Sequence, residues 1–298
     1  RVGGDLINQH PPREFTELDR ARAHARHYVN VVWGEKHGPS LSYEARKAYG
    51  LGLMVEVKYP PEINGSRDYL SLPEYASASY YHKGTEGRRV LDPFDPVGKE
   101  VYLRAYRDLL EQNPDVTIFY GLFGDYSVIP GPDSRRVSDG KPYEHSRLDS
   151  MKQIMRIMGE AAAGRDITCV GWLWHGFFGM PPESEQQFME WCRDNAFGTL
   201  YNEAGNADNW LIKRDNFNKI ALMQNEQGKS LWGENYYPLV SVGGACESIN
   251  PVIALPLPAV AAHKMKRLAD AGVNNVVLWW GSVEGWFYNA NLEVFSRM

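Results

Sequence analysis

Seven short apolar segments recur along the chain, and segments with helical periodicity separate them. The apolar segments, each interpreted as a β-strand, cover residues 28–33, 51–59, 116–123, 167–174, 198–201, a stretch within 230–246, and 273–280. The helical patterns cover residues 14–26, 42–47, 97–112, 145–163, 183–195, 216–227 and 258–271. Strands that alternate with helices in this way predict a parallel sheet with helical crossovers.

Seven such units, with a first strand that is trimmed or irregular, fit a (β/α)8 (TIM) barrel of the α/β class. A doubly wound sheet would carry a glycine-rich phosphate turn after its first strand, and the sequence has none. We therefore predict one catalytic barrel domain over residues 1–298. A long Tyr-rich excursion at residues 60–95 interrupts the alternation. A loop of that length is typical of a lid or a small insertion.

Charge and composition exclude several classes of partner. The net charge of −5 provides no basic footprint for nucleic acid. No apolar run reaches the roughly 18 residues that span a membrane, so we expect neither a nucleic-acid nor a membrane partner. The three cysteines are widely spaced and indicate neither a disulfide framework nor a zinc site, and no motif indicates a cofactor. The chain begins at Arg1 without a signal peptide, so we expect a processed or excised chain whose localisation, secreted and periplasmic included, stays open.

The clearest strand end lies in mid-chain, where the apolar run 116–123 stops at Gly124 and is followed by Asp125 and Tyr126. In α/β barrels the residues just past such strands carry the chemistry, although an Asp there can also simply cap a turn. Polar and aromatic residues near the strand ends form the full candidate set, which is Trp33, Glu35, His37, Glu56, Tyr59, Asp125, Tyr126, Trp174, His175, Glu203, Glu234 or Glu247, Trp279, Trp280, Glu284 and Trp286.

A set rich in carboxylates and aromatic rings indicates glycoside hydrolysis. One carboxyl group protonates the leaving oxygen, a second acts as base or nucleophile, and aromatic faces hold the sugar ring. Other barrel chemistries fit less well. A metal-dependent hydrolase would have paired histidines on an early strand, and a Schiff-base aldolase would need a strand lysine, for which Lys58 is the only candidate.

These residues resemble those of a (β/α)8-barrel glycoside hydrolase. The resemblance rests on Gly124-Asp125 after a mid-chain strand, on a Glu near the penultimate strand, and on Trp279-Trp-Gly281 in the last strand. The segment Gly244-Ala-Cys-Glu-Ser248 also resembles uncharacterised bacterial barrel proteins of hydrolase type. In the retaining barrel clan, the acid/base follows strand 4 and the nucleophile follows strand 7. That clan usually has Asn-Glu after strand 4, so the resemblance assigns no individual family.

The resemblance implies Asp125 as the acid/base and either Glu234 or Glu247 as its partner. If the strand within 230–246 ended at Glu234, more than twenty residues would separate it from the helix that begins near residue 258, which is long for a βα loop. If the strand covers 239–246, Glu247 directly follows it. We favour Glu247 and keep Glu234 as the alternative.

The leading functional hypothesis is a glycosidase with a carbohydrate substrate. Arg135-Arg136 in the loop after Asp125 would suit an anionic sugar, although a solvated loop is the more common explanation of such a pair. Two alternatives share the fold: a carbohydrate-binding barrel without catalysis, and a sugar isomerase or aldolase. A carboxyl separation of roughly 5–5.5 Å would indicate a retaining hydrolase and roughly 6.5–9.5 Å an inverting one.

Overall fold

The computed structural model describes residues 16–26, 31–33, 41–64, 66–82, 88–123, 129–173, 180, 183–202, 238–243, 262, 266, 275–279 and 297. Within these residues the helices are α1 (Glu17–Arg26), α2 (Tyr43–Lys47), α3 (Pro96–Gln112), α4 (Arg147–Ala161) and α5 (Ser184–Asp194). The strands are β1 (Val31–Trp33), β2 (Gly52–Val57), β3 (Ser79–Tyr81), β4 (Arg89–Leu91), β5 (Val116–Phe123), β6 (Arg135–Arg136), β7 (Thr168–Leu173), β8 (Gly198–Asn202), β9 (Pro238–Gly243) and β10 (Asn275–Trp279).

The chain divides into two compact units. The first consists of Arg1–Met54 with Leu200–Met298, and the second of Val55–Thr199. In the first unit β1 pairs in parallel with the start of β2, and β9 pairs in parallel with β10. A small apolar cluster packs α1 and α2 beside β1, and its members are Ala21, Val32, Leu41, Ala45 and Leu51.

In the second unit the sheet strands are neighbours in the order β2, β5, β7, β8. β5 and β7 run parallel, with Ile118 opposite Thr168 and Phe123 opposite Leu173. Between them the chain passes through α4, as a parallel crossover requires. All seven strands expected from the apolar segments are therefore present, and the five helical patterns that precede residue 196 are confirmed. The helices expected at 216–227 and 258–271, and any strand before residue 16, lie outside the described ranges.

The sequence explains where the two long helices begin. The Asp95 carboxylate accepts hydrogen bonds from the backbone N–H groups of Val97 and Gly98, and Pro96 occupies the first turn of α3. Ser146 caps α4 by accepting from the N–H of Asp149. Each cap satisfies a backbone donor that the helix leaves unpaired and stabilises the fold by about 1 kcal/mol.

The methionine-rich apolar face of α4 packs in the core, as its helical spacing predicts. All five of its members are buried, namely Leu148, Met151, Ile154, Met155 and Met158.

The two faces of β5 have different neighbours. On one face Phe119 contacts Tyr106 of α3, and Phe123 contacts Phe188 of α5, so this face packs against the helices. Gly121 lies between them on the same face, where a Cβ would overlap the Tyr59 hydroxyl and approach its Cζ to 2.8 Å. A glycine is needed here because the ring of Tyr59 fills the space of a side chain.

We predict that Gly121→Ala destabilises the protein by about 1–3 kcal/mol, because the added methyl group overpacks the core. Thermal or urea unfolding measures the loss. Among the described residues, the Tyr59 hydroxyl has only the Met158 sulfur, at 3.8 Å, as a hydrogen-bond partner, so Tyr59→Phe alone should cost little stability. Adding Tyr59→Phe to Gly121→Ala should then recover part of the stability. Strictly additive losses would contradict the steric explanation.

The connections after β2 and β5 contain a small antiparallel sheet that the sequence pattern missed. Its strand order is β4-β3-β6, and two 3₁₀ turns, Asp68–Ser71 and Pro73–Tyr75, precede β3. The excursion at 60–95 therefore contains regular structure, and the loop after β5 joins it through β6. Strands of two or three residues are too short to show an alternating pattern.

Candidate functional site

Most candidate residues fall outside the described residues: Glu35, His37, Asp125, Tyr126, Trp174, His175, Glu203, Glu234, Glu247, Trp280, Glu284 and Trp286. The strands that lead to them are nevertheless in place. β1 ends at Trp33, as expected, and β10 ends at Trp279, one residue before the expected end at residue 280. β5 ends at Phe123, two residues before Asp125.

The position of β9 bears on the choice between the two glutamates. The strand covers Pro238–Gly243, so Glu234 precedes it by four residues and Glu247 follows it by four. β9 is parallel to β10, with Gly243 opposite Trp279, so the chain that continues to Glu247 leaves from the carboxyl end. The strand begins one residue before the expected range 239–246 and ends three residues short of it, and the role of Glu247 stays a prediction.

One candidate carboxylate has a defined hydrogen-bond partner. The Tyr120 hydroxyl of β5 donates to Glu56 Oε2 of β2 at 2.8 Å. Tyr120 alternates along β5 with Phe119 and Gly121, so this pair lies on the sheet face opposite the helices. Glu56 is half-buried, whereas Tyr120 is buried.

Burial strengthens the preference of the Tyr120 phenol for its protonated form. Desolvation, and then the neighbouring Glu56 charge, raise the pKa of Tyr120 well above its ordinary value. The phenol therefore stays protonated at neutral pH and acts as a donor, which holds the Glu56 carboxylate in one orientation. Tyr120 was not among the candidates, although a hydroxyl in the middle of an otherwise apolar strand is a signal that could have identified it.

Tyr59 requires a correction, because it was expected to contact substrate. Its side chain is 1% exposed, and its ring stacks on Phe123 with a centroid distance of 5.2 Å. Burial raises the pKa of its hydroxyl well above the ordinary value. Tyr59 lies two residues after the end of β2, on the helix side of the sheet, so it is a core residue and not a substrate contact.

Within the described ranges no group of three His, Cys, Asp or Glu side chains could hold a metal ion. No helix within the same ranges is long and apolar enough to cross a membrane.

Comparison with solved structures identifies the architecture. The chain is similar to the PgaB (BpsB) glycoside hydrolase domain from Bordetella bronchiseptica, with a TM-score of 0.56 and 11% sequence identity over 93% of this chain and 92% of that one. The chain has the (β/α)8-barrel fold. A β-galactosidase from the psychrophilic Marinomonas ef1 also matches, with a TM-score of 0.50 and 10% identity over 97% of this chain and 57% of the galactosidase.

Sequence comparisons add no family to this result. No protein-family model matches the chain, and no curated protein matches it. At identities of 10–11% the structural likeness establishes the fold. Because one barrel fold hosts many activities, the function has to be argued from the site.

Proposed function

We propose that this barrel is a glycoside hydrolase that acts on a carbohydrate. In this proposal Asp125 is the general acid that protonates the leaving glycosidic oxygen, and Glu247 is the second carboxylate. The proposal rests chiefly on one observation, the Glu56 carboxylate that Tyr120 orients on the sheet face opposite the helices. In a (β/α)8 barrel that face is the interior, which leads to the active site at the carboxyl ends of the strands.

The proposed reaction needs two carboxyl groups and a water molecule. A proton moves from the Asp125 carboxyl group to the glycosidic oxygen while the bond to the anomeric carbon breaks, and the leaving sugar departs as an alcohol. Glu247 then either attacks the anomeric carbon or takes a proton from the attacking water. In the first case the Asp125 carboxylate takes a proton from water, and the resulting hydroxyl displaces Glu247 from the anomeric carbon, which restores both groups. In the second case the water's proton passes to Glu247, and exchange with solvent returns a proton to Asp125.

Glu56 has a different proposed role. A carboxylate that is held rigidly and half-exposed suits hydrogen bonds to sugar hydroxyls, which are donors of matching geometry. Its orientation by a buried phenol reduces the entropy lost when substrate binds. The other candidate contacts that we retain as proposals are Trp33, Glu35, His37, Tyr126, Trp174, His175, Glu203, Trp279, Trp280, Glu284 and Trp286.

Purified protein should release new reducing ends from a polysaccharide, and screening a set of glycans for this release tests the proposal. A parallel preparation of Asp125→Asn controls for contaminating hydrolases. Release that is equal in both preparations, or absent with every glycan, would contradict the proposed activity.

We expect Glu56→Gln to lower kcat/KM by roughly 10- to 100-fold, since a charged hydrogen-bond acceptor for the sugar is lost. Tyr120→Phe keeps the ring but frees the carboxylate, so a loss of roughly 3- to 10-fold is expected. The matched control is Tyr102→Phe, which also removes a buried hydroxyl, one that donates to the Leu91 carbonyl. If Tyr120→Phe lowers the melting temperature as Tyr102→Phe does but leaves kcat/KM unchanged, the pair is structural only.

A further inference from the structure

The small sheet carries a row of three side chains across its strands. Tyr81 of β3 lies directly opposite Arg89 of β4 on one side and opposite Arg135 of β6 on the other. Residues directly opposite one another in antiparallel strands share a face of the sheet. Tyr81 is 42% exposed, so its ring is presented to solvent between two arginine residues of the neighbouring strands. We call these three residues the Arg-Tyr-Arg row.

The other face of the same sheet packs in the protein core, so the backbone that carries the row is held rigidly. Tyr80 pairs with Val90 and Arg136, and it packs with Val90 and Tyr143 in a buried cluster. The Tyr143 hydroxyl donates to the buried Asp92 carboxylate at 3.1 Å, which ties this cluster to the segment that starts α3. The three strands of the small sheet are therefore held in place by packing on the face opposite the row.

Backbone carbonyls hold both arginines of the row in position. Arg89 Nη1 donates to the Leu70 carbonyl, and the Arg89 guanidinium lies 5.5 Å from the centroid of the Tyr81 ring. Arg135 Nη1 donates to the carbonyls of Pro132 and Ser134, each at 3.0 Å. Since these contacts of Arg135 all use Nη1, its Nε and Nη2 donors are available to a ligand.

The charges of the row have no carboxylate partner within the described part of the chain, where neither Arg89 nor Arg135 forms a salt bridge. The adjacent Arg136 differs, because it faces the core side and pairs with Asp139 at 3.4 Å. That Asp139 carboxylate is also bridged by Lys141 at 3.1 Å. The uncompensated positive charge is therefore confined to the exposed face.

We propose that the Arg-Tyr-Arg row binds an acidic sugar residue of a polysaccharide, with a uronate as the chemical class. Guanidinium groups bind carboxylates through paired N–H donors, and a tyrosine ring offers a flat apolar face to a sugar ring. A nucleic acid would also satisfy an Arg-Tyr surface, but the net charge of −5 opposes the approach of a polyanion as highly charged as DNA. A single uronate residue, by contrast, carries one carboxylate, which a guanidinium group of the row can bind.

The location of the row agrees with a substrate subsite. β3 and β4 lie in the connection that leaves the carboxyl end of β2, and β6 lies in the connection that leaves the carboxyl end of β5. β2 and β5 are neighbours in the sheet. The connection after β5 also contains Asp125, so one segment supplies both the proposed acid and Arg135. The inference thus rests on the proposed function, for which it specifies an anionic substrate.

Binding is best measured on the full chain carrying Asp125→Asn, so that turnover does not consume the probe. The probe is an end-labelled oligogalacturonate, and its methyl ester is the matched neutral ligand. We expect the ester to bind about 10-fold or more weakly, because the carboxylates no longer accept charge-assisted hydrogen bonds. Arg135→Gln and Tyr81→Ala should each weaken oligogalacturonate binding by about 10-fold. Arg107→Gln on the exposed side of α3 makes the same charge change and should alter the affinity by less than about twofold.

The inference is wrong if oligogalacturonate does not bind, or if the acid and its ester bind equally. It is also wrong if Arg107→Gln and Arg135→Gln weaken oligogalacturonate binding equally. Tighter binding of single-stranded oligo(dT) would indicate a nucleic-acid surface instead. Arg135 is exposed, and an unchanged melting temperature of Arg135→Gln shows that its effect is local. Oligogalacturonate binding without hydrolysis of any glycan by the unmutated chain contradicts the proposed function and supports the row. Hydrolysis of oligogalacturonate with a KM that Arg135→Gln leaves unchanged contradicts the row alone.

Discussion

Asp125→Asn should lower kcat by on the order of 100-fold or more, which is the usual contribution of a positioned general acid. The amide is nearly isosteric with the carboxyl group but has no proton to give to the leaving oxygen. Asp125 follows Phe123, the last residue of β5, and strand ends of this kind carry the chemistry in barrels. Steady-state kinetics on any glycan that the protein hydrolyses measure the effect.

Substrates with different leaving groups distinguish a general acid from a residue that only binds substrate. A nitrophenyl glycoside departs with little protonation, so its kcat should fall much less in Asp125→Asn than that of a natural glycan. Asp108→Asn, at an exposed position of α3, makes the same chemical change and should leave both substrates unaffected. Equal losses for the two substrates in Asp125→Asn would remove Asp125 as the acid and indicate a role in binding.

Glu247→Ala should abolish measurable hydrolysis, because the second carboxylate of a glycosidase has no substitute in the active site. If the mechanism is retaining, added azide or formate should restore part of the turnover by entering the vacated space and attacking the anomeric carbon. The product would then be a glycosyl azide of inverted configuration, which nuclear magnetic resonance identifies. The chain position supports this choice, since Glu247 follows the carboxyl end of β9.

Glu234→Ala is the internal control for that experiment. Glu234 precedes β9, and in barrels the residues before a strand serve stability rather than catalysis. We expect its kcat to stay within about threefold of the unmutated protein, as for a substitution away from the chemistry. Rescue by azide at position 234 instead of 247 would transfer the nucleophile role to Glu234.

The sequence by itself determined the order and type of the main elements. The apolar run 116–123 matches β5 residue for residue, and the helical pattern at 97–112 differs from α3 by one residue. These segments are readable because their periodicity is local: a buried parallel strand is continuously apolar, and an amphipathic helix repeats its apolar positions every three to four residues. Caps such as Asp95 and Ser146 are local signals as well.

Only the tertiary structure decided which side chains meet. Tyr120 and Glu56 are 64 positions apart, and no local pattern indicates that they form a hydrogen bond. The sequence pattern indicates Tyr59 as a strand-end aromatic, but its ring lies in the core, where Gly121 has no side chain and leaves room for it. The Arg-Tyr-Arg row needs β6 to pair with β3 from a different connection. Such contacts depend on sheet order and register, which are set by the packing of the whole unit rather than by neighbouring residues.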